Sequence, residues 1–221
     1  MEIRRRVIWV RGEIATLERK DTLDKFVKDF LYEVSDISNY IDYKVILNII
    51  VSLKKIKKKR GRVFFVGVGG SAGNASHAVN DFRKICGIEC YCPTDNVSEL
   101  TARINDDGWK TSYKNWLEVS NISKNDALFI FSVGGGNLKK KVSLNIIEAI
   151  KYAKQKKSKI FGITGPDGGY TNKNANFCLK IPVNNKNNIT ALTESYQSII
   201  WHLIVTHPLL KENSMKWESL L

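Results

Sequence analysis

Residues 62–71, which read RVFFVGVGGS, place a short apolar run directly before a glycine-rich turn. Residues 127–137, ALFIFSVGGGN, repeat this arrangement. Three more short apolar runs occupy residues 88–91, 159–164 and 177–182. Continuous apolar strands that alternate with helical stretches are typical of a parallel sheet covered by helices on both faces. The sequence therefore predicts an α/β fold with five strands.

Helical spacing of apolar residues surrounds these strands. The spacing predicts helices over residues 72–85, 139–155 and 191–205, and a further helix that begins near Val97. Before the first strand, residues 23–34 and 45–57 predict a helical pair. We therefore divide the chain into a helical extension (1–60), the α/β domain (61–210) and a C-terminal tail (211–221).

The apolar stripes of the helical pair exceed what a monomeric sheet domain needs to bury. They include Phe26, Phe30, Ile46 and Ile50. We expect these residues to form the interface of a symmetric oligomer.

Composition excludes several classes of protein. The 221 residues are 43% hydrophobic and 26% charged, unlike disordered or collagen-like chains. The net charge of +13 would suit nucleic acid or a membrane surface, but the one dense basic cluster, Lys54–Arg62, lacks interleaved aromatic residues. No apolar run approaches the roughly 20 residues of a membrane span, and no signal peptide is recognisable. We expect a cytoplasmic protein without a nucleic-acid or membrane partner.

The four cysteines do not form a disulfide framework, because three of them, Cys86, Cys90 and Cys92, lie close together and only Cys178 is distant. Metal binding by the first three is an alternative. Cys90 and Cys92 alternate with Tyr91 in a strand-like stretch, however, which favours reduced cysteines in or near the core.

Two glycine-rich loops indicate where a ligand binds. Gly67–Ser71 follows the first strand and Ser132–Asn137 follows the third, each before a helix. Glycines allow close backbone approach, and helix N-termini present free N–H groups to anions. Either loop alone could be a tight turn, and neither has P-loop or GxGxxG spacing. Together they indicate a phosphorylated small molecule.

Five motifs in order resemble sugar isomerase (SIS) domains, and among these the phosphoheptose isomerases that act on sedoheptulose 7-phosphate. They are VGVGGSAGNASHAVND (66–81), TDNVSELTARINDDGW (94–109), FIFSVGGGN (129–137), ITGPDGG (163–169) and LTESYQSIIWH (192–202). The resemblance spans residues 62–205. It implies a three-layer α-β-α sandwich around a five-stranded parallel sheet, a homotetramer with sites at subunit interfaces, and an aldose–ketose isomerase of heptose metabolism that works through an enediol.

The resemblance also implies a set of site residues. Those matching substrate- and phosphate-binding positions are Gly69, Gly70, Ser71, Asn74, Asn105, Asp106, Ser132, Gly134, Gly135, Gly136, Asn137 and Gln197. The expected catalytic residues are Asp81, Glu194, His77 and His202. Enediol chemistry needs a base for a carbon-bound proton and an acid for the carbonyl oxygen. We assign these roles to Asp81 and Glu194 and expect both to face one cavity.

The chain departs from the family pattern at the site. Val133 to Gly136 replace hydroxyl residues of the phosphate loop, and Asp81 replaces a glutamate. Thr193 and Trp201 replace a glutamine and a catalytic histidine, with His202 one position later. Zinc held by His77 and Asp81 is left open as an alternative. An isomerase is the favoured function, and the alternative is a non-catalytic SIS protein that senses a phosphosugar or binds a protein or DNA partner.

Overall fold

A computed structural model describes residues 8–10, 13–15 and 17–216. The chain forms two compact units that divide between Tyr40 and Ile41. In the first unit, strands β1 (Ile8–Val10) and β2 (Glu13–Ala15) form an antiparallel pair, and helix α1 (Leu17–Tyr40) follows. The sequence predicted a shorter helix here and no strands.

The second unit begins with helix α2 (Tyr43–Lys58), whose N-terminus is capped by the side chain of Asp42. Ile46 and Ile50, which the sequence assigned to an oligomer interface, are buried within this unit, and that assignment was wrong. An apolar stripe shows that one helix face is covered but not by what. Because α2 belongs to the compact unit that holds the sheet, the unit boundary lies 20 residues before the predicted one at residue 60.

Five parallel strands form the central sheet, which confirms the predicted fold class. In chain order they are β3 (Val63–Val66), β4 (Cys90–Tyr91), β5 (Ala127–Ser132), β6 (Lys159–Thr164) and β7 (Phe177–Lys180). Their order across the sheet is β4-β3-β5-β6-β7. The register pairs Val63 with Ala127 and Ala127 with Lys159, so the central strands begin at one level.

The helices between and after the strands are α3 (Gly70–Lys84), α4 (Val97–Asp107), α5 (Ser112–Val119), α6 (Leu144–Gln155), α7 (Gly169–Asn174) and α8 (Ile189–Thr206). The sequence did not predict the short helices α5 and α7. It also placed the start of α6 at Lys139, whereas the helix begins at Leu144. None of the helices in the described part of the chain is long and apolar enough to cross a membrane.

Alternate residues of the strands enter two apolar layers, as the period of a β-strand requires. Phe64 and Leu128 pack with residues of α5 and α6, including Trp116 and Ile150. On the opposite face Phe65 packs on Phe82 of α3, with ring centroids 5.0 Å apart. The sheet therefore lies between two helical layers.

The three clustered cysteines are buried, as the sequence predicted. Burial raises the pKa of the Cys86 thiol and of the Cys92 thiol to about 11. Both are therefore neutral thiols at pH 7 and contribute to packing.

Candidate active site

The order of the strands creates a crevice at one end of the sheet. From β3 the chain moves outward to β4, and it then returns to the other side of β3 to form β5. In open α/β sheets ligands bind at such a switch point, beyond the carboxyl ends of the strands. The two glycine-rich loops of the sequence follow β3 and β5, so the fold brings them together at this point.

The loop after β3 is held tightly by its own backbone. A Cβ atom on Gly67 would lie 2.3 Å from the carbonyl oxygen of Ser71, so only glycine fits. The hydroxyl of Tyr113 donates a 2.6 Å hydrogen bond to the Gly67 carbonyl. Gly69 has a φ of 63° and precedes the first turn of α3. Ser71 is buried, and its Oγ has no partner among the described residues.

Glu194 of α8 lies against this loop. A Cβ atom on Gly70 would be 2.3 Å from Glu194 Oε2, so the missing side chain makes room for the carboxylate. Asn74 Nδ2 donates to the Glu194 carbonyl at 2.8 Å and to Gln197 Oε1 at 3.2 Å. Four residues that the sequence assigned to the site are thus in contact: Gly70, Asn74, Glu194 and Gln197.

The loop after β5 turns its carbonyl groups toward α7. Gly135 O accepts hydrogen bonds from the backbone N–H and the hydroxyl of Thr171, at 2.9 and 2.8 Å, and Gly136 O accepts from Tyr170 N–H at 2.9 Å. The C=O and N–H of a trans peptide point in opposite directions. The N–H of Gly136 therefore points away from α7. Ser132 Oγ accepts from the Gly135 N–H at 3.0 Å, which fixes the start of the loop.

Residues 137–142 form a closed turn that the sequence did not predict. Asn137 and Val142 exchange two backbone hydrogen bonds, of 3.0 and 3.1 Å. The turn explains why α6 begins at Leu144. Ser143, the N-cap residue of α6, has a φ of 53°, and in the described structure its side chain does not cap the helix.

Asn145, in the first turn of α6, is completely buried, and neither its Oδ1 nor its Nδ2 has a partner within residues 22–216. A buried amide without hydrogen bonds is costly and requires an explanation. Ser143 and Asn145 were missed as site residues because the inserted turn separates them from the glycine loop in sequence. The motif SLN before an apolar helix was the available signal.

A second polar cluster consists of His77 and Asp81 on α3 and His202 on α8. One ligand atom from each lies within 4.8 Å of the others, and His202 Nε2 is 3.8 Å from Asp81 Oδ2. Gly70 meets Glu194 near the start of both helices and Asp81 meets His202 farther along, so α3 and α8 run side by side in the same direction.

The two carboxylates predicted to act as a pair are separated. Asp81 lies eleven residues after Gly70, which is about 16 Å along a helix, whereas Glu194 lies against Gly70 itself. Within one chain the two carboxylates therefore lie apart, and a single cavity that both of them face stays a prediction. The group facing Asp81 is instead His202.

The hydrogen bonding of His202 fixes the proton on one of its two ring nitrogens. Its Nδ1 lies 2.8 Å from the Ser198 carbonyl oxygen, which can only accept, so Nδ1 carries a proton. Nε2 then faces Asp81 either as a protonated donor or as a free lone pair. A backbone-oriented histidine with its other nitrogen free is the arrangement found at metal ligands. Two imidazole nitrogens and one carboxylate fit zinc, which keeps an open position in catalytic sites.

Trp201 occupies the position of the family's histidine and is completely buried. Its ring lies against His77, with centroids 4.7 Å apart, and the His202 ring also contacts His77, at 5.6 Å. The helix thus presents both neighbouring side chains to His77, although they are about 100° apart on it.

Asn105 and Asp106, near the end of α4, are exposed. Asn105 Nδ2 donates to Asp106 Oδ1 at 2.8 Å, so the structure pairs them with each other. Their contact with a substrate stays a prediction.

Comparison with known proteins places this geometry in context. No family model matches the chain. It is 32% identical over 158 residues to the lincomycin biosynthesis protein LmbN of Streptomyces lincolnensis, covering 66% of this chain but only 56% of that protein. It is 31% identical over 153 residues to the phosphoheptose isomerase of Buchnera aphidicola, covering 67% of this chain and 72% of that enzyme.

A solved structure of a phosphoheptose isomerase from Francisella tularensis has the same fold. It superposes with a TM-score of 0.71 and 20% identity over 84% of this chain and 95% of that one. The crevice between β3 and β5, its two glycine-rich loops and the match to the Buchnera enzyme lead to one assignment. The chain belongs to the phosphoheptose isomerase family of sugar isomerase domains.

Proposed function

We propose that this protein is a phosphosugar isomerase that interconverts a ketose 7-phosphate and an aldose 7-phosphate, with sedoheptulose 7-phosphate as the ketose. The observation that carries the proposal is the crevice at the switch point, where two glycine-rich loops meet and Glu194 lies against Gly70. The names of its relatives support the choice of a heptose.

The phosphate would bind at the loop after β5. The Gly136 N–H and the uncapped first turn of α6 supply backbone donors and the positive end of the helix dipole. Glycines leave space for the phosphate oxygens to approach this backbone. Glu194 would accept hydrogen bonds from sugar hydroxyl groups, because the carboxylate reaches the loop after β3.

The proton transfers would use the second cluster, supplied by a neighbouring subunit of an oligomer, because about 16 Å along α3 is farther than a heptose phosphate spans. Asp81 takes the proton from the carbon beside the carbonyl, and His202 gives a proton to the carbonyl oxygen, which produces the enediol. In the second half, His202 takes the proton of the other hydroxyl and Asp81 returns its proton to the former carbonyl carbon. The 3.8 Å separation of His202 Nε2 and Asp81 Oδ2 suits such a pair.

As an alternative to this acid–base role, His77, Asp81 and His202 would be the residues that hold zinc, as their donor set allows. Bound there, zinc would supply electrophilic stabilisation of the negative charge that develops on oxygen. Calorimetric titration with zinc tests this directly. We expect binding by the wild type and weaker binding by His202→Gln, with His207→Gln as the matched control outside the cluster.

Exchange of the substrate's carbon-bound proton with deuterated water tests the proposed reaction. We expect the wild type to exchange a carbon-bound proton of sedoheptulose 7-phosphate. Proton NMR, with and without zinc, measures the exchange rate. Asp81→Asn and His202→Gln should each lower the exchange rate about 10²–10⁴-fold and leave phosphate binding nearly intact. His207→Gln should exchange at the wild-type rate.

One observation favours a second function. Trp201 stands buried where the family has its catalytic histidine. If phosphosugars bind but no ketose or aldose phosphate exchanges its proton, the protein is a non-catalytic binding module that senses a phosphosugar or binds a protein or DNA partner.

We further propose a cytoplasmic homotetramer. Its support is apolar surface within the second unit: Leu47 and Val51 on α2 and Ile199 and Leu203 on α8 are each more than 40% exposed. Large apolar side chains exposed in pairs on two helices are what a subunit contact would cover. Light scattering should give four times the 25.1 kDa chain mass, and a 25 kDa particle at micromolar concentration would refute the oligomer.

A further inference from the structure

We call the glycine-rich loop after β5, residues 132–137, the glycine loop. Three consecutive lysines occupy the closed turn between this loop and α6. We call residues 137–142 the lysine turn. Its lysines, Lys139 to Lys141, are all exposed. The turn has a defined backbone, because Asn137 and Val142 are paired and the Lys140 N–H donates to Asn137 Oδ1 at 2.9 Å. Lys141 adopts a φ of 54°, a conformation that the closed turn imposes.

The base of the lysine turn lies at the proposed phosphate site. The turn starts directly after Gly136 and returns the chain to Ser143, whose carbonyl oxygen would be 3.6 Å from a Cβ atom on Gly136. Only four residues form its tip. A lysine side chain spans several ångströms, so ammonium groups on this tip can reach an anion at the glycine loop.

The glycine loop itself carries no positive side chain. Residues 132–137 read SVGGGN. Ser132 Oγ already accepts from the Gly135 N–H, and Asn137 Oδ1 accepts from the Lys140 N–H. The Ser132 hydroxyl proton and the Asn137 amide can still donate, but both are neutral, so no side-chain charge in this loop would offset a phosphate ester that carries nearly two negative charges at pH 7.

A second observation marks the same place as a ligand site. The N-terminus of the 12-residue helix α6 has no side-chain cap within residues 22–216. The completely buried Asn145 beside it has both polar side-chain atoms unpartnered. The free backbone N–H groups of this helix end and the Nδ2 of Asn145 are donors that an anion would satisfy, and the lysine turn borders them.

We propose that the lysine turn provides the positive charge that binds the substrate's phosphate in this protein, a charge that the glycine loop itself does not carry. The inference rests on the proposed function for the identity of the anion as a phosphate ester. It assigns a binding role to residues outside the five family motifs.

The test compares two triple variants with the same change in net charge. In the first, Lys139, Lys140 and Lys141 are each changed to Gln. In the second, Lys54, Lys55 and Lys58 are changed to Gln; these are exposed lysines of α2 near the opposite end of the strands. Calorimetry measures the affinity for inorganic phosphate and for sedoheptulose 7-phosphate, at low and at high sodium chloride.

We expect the lysine-turn variant to bind both ligands about tenfold more weakly at 50 mM salt and only about threefold more weakly at 500 mM, because salt screens exposed charges. The α2 variant should stay within about twofold of the wild type. Equal losses in both variants would show a general charge effect and overturn the inference. So would unchanged affinity in the lysine-turn variant, or a wild type that does not bind phosphate.

Proton exchange separates this inference from the proposed function. A selective loss of phosphate affinity without any exchange by the wild type would support the lysine turn and refute the isomerase. Proton exchange by the wild type, without a selective loss of phosphate affinity in the lysine-turn variant, would support the isomerase and refute the role of the lysine turn.

Discussion

The two ends of the central sheet are built in opposite ways. At the amino end, the carboxylate of Asp126 accepts hydrogen bonds from the backbone N–H and guanidinium of Arg62 and from the backbone N–H and hydroxyl of Ser123. Arg62 Nη1 donates to the Ser120 carbonyl, and Nη2 donates to the Asn121 carbonyl as well as to Asp126, each at 3.0 Å. Every polar atom of this cluster has a partner, and the cluster joins the starts of β3 and β5.

At the carboxyl end, polar groups are left without partners. Five buried side-chain atoms of the described residues lack a hydrogen bond. Four of them belong to residues at this end, namely Ser71, Thr193 and both atoms of Asn145, and the fifth is Trp201 Nε1. Each costs free energy that a satisfied group would not.

The difference separates stability from function. A polar cluster that is fully hydrogen-bonded fixes the relative position of two strands, whereas unsatisfied groups and bare glycines lower stability and are tolerated where a ligand completes them. The following predictions test whether the amino end contributes stability alone and the carboxyl end contributes binding at a cost in stability.

The largest expected effect is at the amino end. Asp126→Ala removes the acceptor of the Arg62 and Ser123 hydrogen bonds and leaves a partly buried cation unpaired. We expect a loss of about 3–5 kcal/mol in the free energy of unfolding, measured by urea denaturation. Phosphate affinity below the melting temperature should not change. Glu118→Ala, which removes an exposed partner of Lys114, should leave the stability nearly unchanged.

The stability should also depend on pH through this cluster. Burial opposes the charge of Asp126, but hydrogen bonds from Arg62 and Ser123 outweigh it and hold the pKa of Asp126 below its usual value. The stabilisation is thus complete above about pH 4, the ordinary value for aspartate, and is lost as the pH falls through the lower pKa of the folded state. Asp126→Asn should flatten this part of the stability curve. If the free energy of unfolding of that variant still falls as steeply at acid pH, the fall is caused by other carboxylates.

At the carboxyl end the largest effect should come from Gly135→Val. Gly135 has a φ of 66°, and a Cβ atom there would lie 2.1 Å from the Gly168 carbonyl oxygen. The loop must therefore move away from α7, and we expect phosphate affinity to fall at least about a hundredfold, measured by calorimetry. Gly134→Ala is the control, because Gly134 has open space around it, and its affinity should stay within about threefold. Unchanged binding by the Val variant would remove this loop from the site.

One substitution at the carboxyl end of the sheet should raise stability while it weakens binding, the opposite of what we expect at the amino end. Asn145→Leu replaces a buried, unpartnered amide by an apolar side chain of similar shape. We expect the free energy of unfolding to rise by about 1–2 kcal/mol and phosphate affinity to fall. The same denaturation and calorimetric measurements apply. A loss of stability would show that the amide has partners in solution, such as an internal water, and that this end is not strained.

The strands could be predicted from the sequence because their apolar runs are short, continuous and followed by glycine. The predicted runs 127–132 and 159–164 coincide with β5 and β6. The apolar pattern of α2 also predicted a helix, but such a pattern cannot distinguish a face buried by the sheet from one buried by another subunit. Ile46 and Ile50 show this limit.

The site was predictable in its loops and less so in its side chains. The sequence predicted a helix over the lysine turn because lysine favours helices. Lys141 and Ser143 adopt left-handed conformations, but neither is a glycine, so their residue types did not indicate a turn. The partner of Asp81 could not be deduced either. Whether Trp201 or His202 meets Asp81 depends on the rotation of α8, which only the packed structure fixes.

The smallest effect should come from Ser132, the one hydroxyl residue that the glycine loop retains. Its Oγ accepts the Gly135 N–H, so its own proton is free to donate to a phosphate oxygen. Ser132→Ala therefore removes one donor and leaves the backbone donors in place, and phosphate affinity should fall by only about 1 kcal/mol, or roughly fivefold. Ser132→Thr, which keeps the hydroxyl, should recover most of this affinity. A hundredfold loss in the Ala variant would mean that the side chain, rather than the backbone and the lysine turn, holds the phosphate, and the contrast between a bare glycine loop and a fully bonded amino end would fail.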